Sequence, residues 1–361
     1  MSLRVGLDAQ IFLAQRRGGI SRYFVELMRA FETDSALGVD VVTPYRDVAN
    51  EHLVETFPDR YRLDVRHDSR WRGLLRPRRL RAMSDVDLVH HTFYDPAYLE
   101  VAAGLPAVST VHDMIPELFP DDFPHGNPHA AKERFVRSSA GLVCVSETTR
   151  RDLLRLYGPL DAEIAVVPLG VGDEFRTPRV TKVSGPSSFV LFVGHRGGYK
   201  GFDVLVRAMA RRPELAELHL VCVGGGAFSL AEQRLLAQAN LTERVHRPVV
   251  PDAELPGLYA IATCLVYPSR YEGFGLPILE AFAASCPVIA ADTEIFREVA
   301  DDAAAYFPPD DAAALADALG TCVRDQAWRR ARTDAGRARA ADFTWSRTAA
   351  ATADLYRRVL A

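Results

Sequence analysis

Residues 267–291 carry the pattern with the most chemistry in this chain of 361 residues: YPSRYEGFGLPILEAFAASCPVIAA. Glu272 opens a glycine-rich loop, and Pro277 favours the first turn of the helix that follows it. A helix start after such a loop offers free backbone N–H groups and a positive dipole end, which suit a diphosphate. Glu280 lies among apolar helix neighbours, so its carboxylate needs hydrogen-bond partners. Ribose hydroxyls are good partners, and a solvent-facing glutamate is the alternative.

A second motif, FVLFVGHRGGYKGFDVLVRAMA, spans residues 189–210. A predicted strand ends at Gly194, and the loop after it places Arg196 and Lys200 beside glycines. Two cations in a glycine-containing loop at a strand end favour a phosphate site, and a solvated basic loop is the alternative. We therefore predict that both side chains contact the anionic part of a ligand.

Two features of the N-terminal half also follow predicted strands. Gly18 and Gly19 come after the first strand, and paired glycines permit a close backbone approach to phosphate, although a plain turn is the alternative. His112 follows directly on the predicted strand Ala107–Val111, where ligands of parallel sheets bind. We predict that His112 belongs to an active site and that Asp113 orients it.

Other polar patterns have competing interpretations. His90 and His91 end an earlier strand and either face an acceptor or pack at the strand end. Asp85 and Asp87 form a D-x-D string, as in some divalent-ion sites, but they precede a strand, so we predict a polar strand entry and no metal. Residues 66–81 hold seven arginines and one acidic residue. A basic segment of this kind can dock on an anionic membrane surface, and we predict that role for residues 66–81. A solvated arginine face and a site for an acidic acceptor are the alternatives.

The elements that position these residues alternate between short apolar runs and helix-like segments, which is typical of βα units. The segment Asp173–Ser188, rich in Pro, Ser, Gly and charge, separates two such sets. We predict an α/β fold of two Rossmann-like, doubly wound domains, residues 1–175 and 176–344, facing a central crevice. A helix within residues 345–361 is expected to pack back on the first domain. The predicted strands are Arg4–Leu7, Val39–Thr43, Leu88–His91, Ala107–Val111, Gly141–Val145, Phe189–Val193, Leu218–Val223, Cys264–Tyr267 and Val288–Ala290.

Composition narrows the function classes further. The formal net charge of −4 provides no general attraction to nucleic acid. No apolar run approaches the ~18 residues that span a bilayer, and the N-terminal segment is typical of a first strand rather than a signal peptide. The five cysteines are interpreted as core residues in a reducing compartment. We therefore predict a cytoplasmic protein, peripheral on the inner face of the plasma membrane if residues 66–81 dock there.

The whole phrase EGFGLPILEAFA, in its strand–loop–helix context, resembles the family 4 retaining glycosyltransferases of the GT-B fold. The resemblance implies that Glu272 touches the transferred sugar, that Glu280 holds the nucleotide ribose and that His112 lies near the transferred sugar. It implies that a loop with Gly18 and Gly19 closes over the donor phosphates. It also assigns donor contacts to the residues of the second glycine-rich loop, namely Gly273, Phe274, Gly275 and Leu276.

The resemblance continues at Arg196 and Lys200, because enzymes of this family carry an Arg and a Lys-Gly at the start of the second domain. The commoner form places the Arg directly after the glycine, where this chain has His195. A minority form of the pattern, G-x-R-x-x-Y-K, matches as it stands. The contact made by Arg196 is therefore less firmly assigned than that of Lys200.

The resemblance implies transfer of a hexose from a nucleotide-diphosphate sugar to a saccharide, lipid-linked or natural-product acceptor, with retention. We expect a front-face mechanism without a metal or other cofactor. Arg196 and Lys200 would stabilise the leaving diphosphate, and His112 and Glu272 would orient the sugar. GDP-mannose is the first expected donor, since HHTFYDP and VHDMIPE resemble bacterial mannosyltransferase-like members. The alternatives are a sugar-nucleotide epimerase of the same fold and a non-catalytic sugar-nucleotide-binding protein.

Overall fold

A computed structural model describes residues 2–64, 83, 85–99, 104–179 and 186–361 of the chain. The chain divides into two units. The first unit comprises Met1–Gly170 together with Trp345–Ala361, and the second comprises Val171–Thr344. This division falls slightly before the predicted boundary after residue 175. The arginine-rich segment 66–81 lies outside the described residues, so its membrane role stays a prediction.

The first unit is built on a six-stranded sheet in which every neighbouring pair is parallel. The strand order is β2-β1-β5-β6-β7-β8, and β3 and β4 form a separate parallel pair. The central strands β5 and β6 are buried along their whole length, as expected for a parallel sheet covered on both faces. The strands are β1 (Leu3–Leu7), β2 (Val39–Val42), β3 (Asp47–Val48), β4 (Arg62–Leu63), β5 (Leu88–His91), β6 (Ala107–Val111), β7 (Gly141–Cys144) and β8 (Glu163–Val166).

The helices of the first unit bury apolar faces against this sheet or its loops. One face of α2 buries Tyr23, Phe24, Leu27 and Phe31. The Ser146 hydroxyl accepts a hydrogen bond from the Thr149 N–H and so begins a later helix with a side-chain cap. The helices are α1 (Gln10–Ala14), α2 (Gly19–Thr33), α3 (Glu51–Thr56), α4 (Ile115–Leu118), α5 (Lys132–Ser138) and α6 (Glu147–Tyr157).

The second unit has its own six-stranded parallel sheet, in the order β11-β10-β9-β12-β13-β14. Counted along the chain, this is the order 3-2-1-4-5-6 of a doubly wound sheet, whose direction of winding reverses between β9 and β12. Ligands of such sheets bind beyond the carboxyl ends of the two strands at that reversal. The strands are β9 (Phe189–Val193), β10 (His219–Val223), β11 (Val245–His246), β12 (Cys264–Tyr267), β13 (Val288–Ala291) and β14 (Ala305–Phe307).

The chain enters the second unit through a short helix, Asp173–Arg176, which occupies the start of the predicted linker. Its Arg176 guanidinium donates to the carbonyl oxygens of Ala340 and Phe343, so this segment is bonded to the end of the same unit. The helices are α7 (Asp173–Arg176), α8 (Phe202–Met209), α9 (Leu230–Gln238), α10 (Leu255–Ile261), α11 (Leu276–Ala283), α12 (Glu294–Ala300), α13 (Ala312–Arg324) and α14 (Gln326–Ala340).

The last helix, α15 (Trp345–Leu360), belongs to the first unit and packs against α2, β7 and β8. The Thr348 hydroxyl donates to the Pro168 carbonyl at 2.8 Å. Gly141 allows the close approach, because a Cβ there would lie 2.7 Å from Val359 Cγ2. Residues 180 positions apart, such as Pro168 and Thr348, therefore share one core.

All nine predicted strands are confirmed, with ends within one residue. The three further strands of the two sheets, β8, β11 and β14, are edge strands, which are only partly buried and so show a weak apolar pattern. Among the described residues, no helix is both long and apolar enough to cross a bilayer. The same part of the chain holds no group of three or more His, Cys, Asp or Glu that could bind a metal ion.

Candidate active site

Two loops meet at the reversal point of the second sheet, one after β9 and one after β12. Gly201 has a left-handed backbone with φ of 67°, and a Cβ there would lie 2.3 Å from the Pro268 carbonyl oxygen. The Arg270 N–H donates to the Tyr199 carbonyl at 2.8 Å. The two loops are therefore joined through their backbones, which sets the positions of the side chains they carry.

The two loops bring together Lys200 and Glu272, both predicted site residues. Lys200 Nζ lies 2.6 Å from Glu272 Oε1, and the side chains are only 13% and 9% exposed. The Lys200 ammonium also lies 5.1 Å from the centre of the Tyr199 ring. Burial and then the charge of Glu272 raise the pKa of Tyr267 well above its ordinary value, so this neighbouring phenol stays protonated. The centre of this region is thus a buried ion pair lined by aromatic rings.

Helix α11 begins directly after this pair. Its N-cap, Gly275, has a left-handed backbone with φ of 102°. A Cβ at this position would lie 3.3 Å from the Phe296 ring, so a residue larger than glycine would be strained there. The predicted Pro277 lies in the first turn. Ser269 on the preceding loop is buried, and its hydroxyl has no hydrogen-bond partner among the described residues. The region therefore holds one buried hydroxyl without a hydrogen-bond partner among the described residues. The sequence did not single out Ser269, because a Ser after a strand is common.

Glu280 faces inward from the second turn of α11 and is 4% exposed, so it is not the solvent-facing glutamate of the alternative interpretation. Its Oε2 accepts a hydrogen bond from the Tyr259 hydroxyl at 2.9 Å. Burial, and then the charge of Glu280, raise the pKa of Tyr259 well above its ordinary value. Sequence reasoning did not identify Tyr259, which lies on a different helix, α10.

Arg196, predicted to contact phosphate, has its guanidinium directed into the second unit, where the side chain is 1% exposed. Its Nε donates to Glu232 Oε1 at 2.8 Å, and its Cζ lies 4.5 Å from the centre of the Phe228 ring. Its remaining nitrogens donate to four successive backbone carbonyls after β10, those of Gly224, Gly225, Gly226 and Ala227. Contact between Arg196 and a diphosphate would require these hydrogen bonds to break. The geometry therefore corrects the predicted phosphate contact: in this structure Arg196 holds the loop after β10.

His112 of the first unit stands at the end of β6, as the sequence predicts. Its ring lies edge-on to Tyr23, with centroids 5.1 Å apart, and its Nε2 is buried without a partner among the described residues. Burial, followed by the charges of His129 and Lys132, lowers the pKa of His112 to about 3. The imidazole is therefore neutral at physiological pH, and one of its nitrogens has no hydrogen-bond partner among the described residues.

Asp113 does not orient His112, which corrects that prediction. Its carboxylate accepts a hydrogen bond from the Ile115 N–H at 3.0 Å and lies 4.0 Å from Lys132 Nζ. The buried Lys132 ammonium also donates to Glu117 at 2.9 Å. Asp113 therefore accepts a hydrogen bond from the first residue of α4 and belongs to an internal ion-pair network.

His90 and His91 are held by internal partners. The His90 ring bonds through Nδ1 to the Tyr356 hydroxyl at 2.7 Å and through Nε2 to the Thr110 hydroxyl at 2.8 Å. His91 Nδ1 lies 2.7 Å from Asp8 Oδ2, and both side chains are almost fully buried. The strand-end packing interpretation therefore fits both histidines. Asp8, at the carboxyl end of β1, was not identified from the sequence.

The Gly18–Gly19 pair forms the start of α2. The Gly18 carbonyl accepts from the Ser21 hydroxyl at 2.9 Å, and Gly18 has an extended φ of 174° that any residue adopts. A Cβ on Gly19 would have no atom within 4 Å. The fold of the first unit therefore does not require glycine at position 19, and the space beside it is open.

Asp85 and Asp87 both bond to Arg4 at the start of β1. The Asp87 carboxylate accepts from the Arg4 N–H at 2.7 Å, and the Asp85 carboxylate pairs with the Arg4 guanidinium. These contacts join the entry of β5 to the entry of its neighbour β1. This is the polar strand entry that the sequence suggested.

Comparisons with known proteins agree with this architecture. The sequence-family model of the group 1 glycosyl transferases matches residues 173–339. The sequence-family model of Glycosyltransferase Family 4 matches residues 17–175. O-antigen chain mannosyltransferase B of Escherichia coli is 30% identical over 308 residues, covering 79% of this chain and 78% of that protein. The D-inositol 3-phosphate glycosyltransferase of Xylanimonas cellulosilytica is 32% identical over 388 residues, covering 94% and 91%.

Solved structures show the same fold across nearly the whole chain. Sucrose-phosphate synthase of Thermosynechococcus elongatus has a TM-score of 0.74 at 22% identity, with 99% of each chain covered. Anabaena HepE in complex with UDP and glucose has a TM-score of 0.76 at 17% identity, covering 99% of this chain and 100% of that one.

The two parallel-sheet units have the GT-B fold, and the matching family models and relatives make the chain a glycosyltransferase of this class. The chain belongs to glycosyltransferase family 4, whose second-unit module is that of the group 1 glycosyl transferases.

Proposed function

We propose that this enzyme transfers a hexose, with retention at the anomeric carbon, from a nucleotide-diphosphate sugar to a saccharide, lipid-linked or natural-product acceptor. GDP-mannose is the first proposed donor, supported by the similarity to a mannosyltransferase. The observation that carries the proposal is the Lys200–Glu272 pair at the reversal point of the second sheet, beside the start of α11. No metal ion or other cofactor takes part in the proposed reaction.

In the proposed mechanism the donor diphosphate replaces Glu272 as the partner of Lys200. The ammonium and the N–H groups at the start of α11 then balance the phosphate charge in place of a metal. Glu272, released from the ion pair, accepts hydrogen bonds from hydroxyls of the transferred sugar. Glu280 accepts from the ribose hydroxyls, and Arg196 supports the site by holding the loop after β10.

The bond changes follow a front-face course. The bond between the anomeric carbon and the phosphate oxygen breaks, and the acceptor oxygen bonds to the anomeric carbon on the same face. The acceptor proton passes to the departing phosphate oxygen, so charge and atoms balance without a protein nucleophile. Charge that develops on the leaving diphosphate is stabilised by Lys200 and the helix start.

His112 is the proposed contribution of the first unit to recognition of the transferred sugar. Its neutral ring and buried, unpartnered Nε2 support a hydrogen bond to a sugar hydroxyl. A buried nitrogen without a hydrogen-bond partner costs about 1–3 kcal/mol, and a bond to a sugar hydroxyl would remove this cost. A neutral imidazole can make this contact without altering the charge around the donor.

The experiment that tests the proposal measures nucleotide release from GDP-mannose with and without a saccharide or lipid-linked acceptor, after a thermal-shift screen of GDP, UDP and dTDP sugars. A transferase releases nucleotide rapidly only with acceptor, and the product should keep the donor's anomeric configuration by NMR. The Glu272→Gln variant should bind the nucleotide and lose transfer. Conversion of the donor sugar to its C2 epimer, or binding without turnover under every acceptor tested, would overturn the proposal in favour of the epimerase or the non-catalytic alternative.

A further inference from the structure

The buried carboxylate of Glu280 has a rigid neighbour on another helix. Tyr259 lies on α10, is 0% exposed, and places its hydroxyl 2.9 Å from Glu280 Oε2. The two residues are separated by 21 positions in the sequence, and α10 packs against α11. The contact therefore depends on the packing of two helices rather than on a local pattern.

The Tyr259 ring has little freedom to move. It is enclosed in the core and packs edge-on against Phe175 of α7, with ring centroids 5.8 Å apart and an interplanar angle of 66°. A phenol on a fixed ring presents its O–H at a fixed point. Glu280, in contrast, has three side-chain torsions, whose freedom a rigid donor restricts.

The hydrogen bond also has a defined direction. A carboxylate only accepts hydrogen bonds, so the phenol must donate. Because burial and the neighbouring carboxylate hold the pKa of Tyr259 well above its ordinary value, the phenol keeps its proton at physiological pH. Donation to Glu280 Oε2 is thus a permanent feature of the site.

We propose that Tyr259 is a positioning residue that orients Glu280 and thereby sets the preference of the enzyme for a ribose over a deoxyribose donor. This inference rests on the proposed contact between Glu280 and the ribose. A carboxylate held in one rotamer is aligned for the ribose hydroxyls before the nucleotide arrives, so little order is lost on binding. Without the phenol, Glu280 would lose one of the contacts that hold its rotamer, and the hydroxyl contact would weaken selectively.

The test is calorimetric binding of GDP, 2′-deoxy-GDP and 3′-deoxy-GDP, and of the matching UDP series, to the full chain and its Tyr259→Phe variant. The parent should prefer the ribonucleotide by about 10-fold or more, the factor expected for a hydrogen bond to a charged group. Tyr259→Phe should weaken ribonucleotide binding by about 3- to 10-fold and leave at least one deoxy analogue unchanged, so the preference narrows. Equal losses for all analogues, or no loss at all, would overturn the proposal, since a general structural effect does not depend on one hydroxyl.

Two further variants separate this proposal from the assignment of Glu280. Tyr306→Phe removes a tyrosine hydroxyl that donates to the Phe296 carbonyl at 3.1 Å in the same unit, and it should leave the ribose preference unchanged. Glu280→Gln should lose the preference. If Glu280→Gln loses it and Tyr259→Phe keeps it, only the role of Tyr259 falls. If the parent shows no preference in either nucleotide series, the ribose contact of Glu280 and the role of Tyr259 fall together.

Discussion

Removal of the Lys200 ammonium should reveal how much the ion pair with Glu272 contributes to stability and to donor binding. At 2.6 Å and an effective dielectric constant of about 20, the Coulomb attraction between the two charges is about 6 kcal/mol. Desolvation of both groups offsets much of this attraction. The pair as a whole is therefore expected to contribute little net stability, whereas a single unpaired charge left behind is costly.

Lys200→Met should lower the free energy of unfolding by about 3 kcal/mol, the lower end of the range for breaking a buried ion pair, because both side chains keep some exposure. Glu272→Leu should cost less, about 1–2 kcal/mol, since a lysine can extend its ammonium toward water. The Lys200→Met/Glu272→Leu protein should regain much of the loss, because two apolar groups leave no buried charge. The coupling between the two sites should be about 3 kcal/mol, which leaves the double variant about 1–2 kcal/mol less stable than the parent.

The measurement is urea unfolding of the parent and the three variants, followed by circular dichroism, together with donor affinity by calorimetry. Arg207→Met provides a matched control, because Arg207 pairs with Asp203 at 2.8 Å on an exposed helix face, where such a pair contributes about 0.5 kcal/mol or less. Lys200→Met should also weaken donor binding by about 10- to 100-fold through the lost contact to phosphate. Additive stability effects at positions 200 and 272 would refute the account of the pair, and unchanged donor affinity would refute the phosphate role of Lys200.

Four other predictions concern the rest of the chain. Gly19→Val should fold normally, since its side chain enters open space, but should lose turnover if the loop contacts donor phosphate; parental steady-state rates would restore the plain-turn interpretation. Activity should survive excess EDTA, and recovery of a chelated, inactive enzyme by Mg²⁺ or Mn²⁺ would contradict the metal-free mechanism. The pKa of His90 is lowered to about 3, chiefly by burial, so the unfolded chain protonates it first and stability should fall as the pH drops from about 6.5 to 3. His90→Asn should reduce that slope by up to about 1.4 kcal/mol per pH unit in urea unfolding at several pH values, whereas an unchanged slope would show that His90 does not cause it. Replacing the four arginines of residues 76–81 with Gln should lower binding to anionic vesicles and leave nucleotide affinity unchanged; equal sedimentation of both proteins would remove the membrane interpretation.

The local features of this protein could be predicted from its sequence because they depend on neighbouring residues. Strands such as Phe189–Val193 and Cys264–Tyr267 are short apolar runs that lie buried in their sheets, and their predicted bounds match the structure. The helix start at Gly275 and Pro277 follows from backbone freedom and from a missing N–H. The family 4 membership follows from the same stretch, since its glycines and carboxylates stand at a characteristic spacing.

What the sequence could not decide is which partner each polar side chain meets. Arg196 and Lys200 stand in one loop and looked equivalent, yet Lys200 meets Glu272, and Arg196 meets the backbone after β10, about thirty residues further along the chain. His90 and His112 both stand at strand ends. The first is satisfied by Tyr356 of the last helix, 266 positions away, and the second keeps a buried nitrogen without a partner.

The physical reason is one of range. Backbone conformation, capping and apolar periodicity are set by residues within a few positions of each other, so the sequence by itself determined the class of fold, the order of most of its elements and the glycine-rich motif before α11. Hydrogen bonds and ion pairs act only over about 3–4 Å and join segments far apart in the chain. Only the tertiary structure therefore decided that Tyr259 donates to Glu280, that Arg196 is internal and that, among the described residues, His112 Nε2 has no partner.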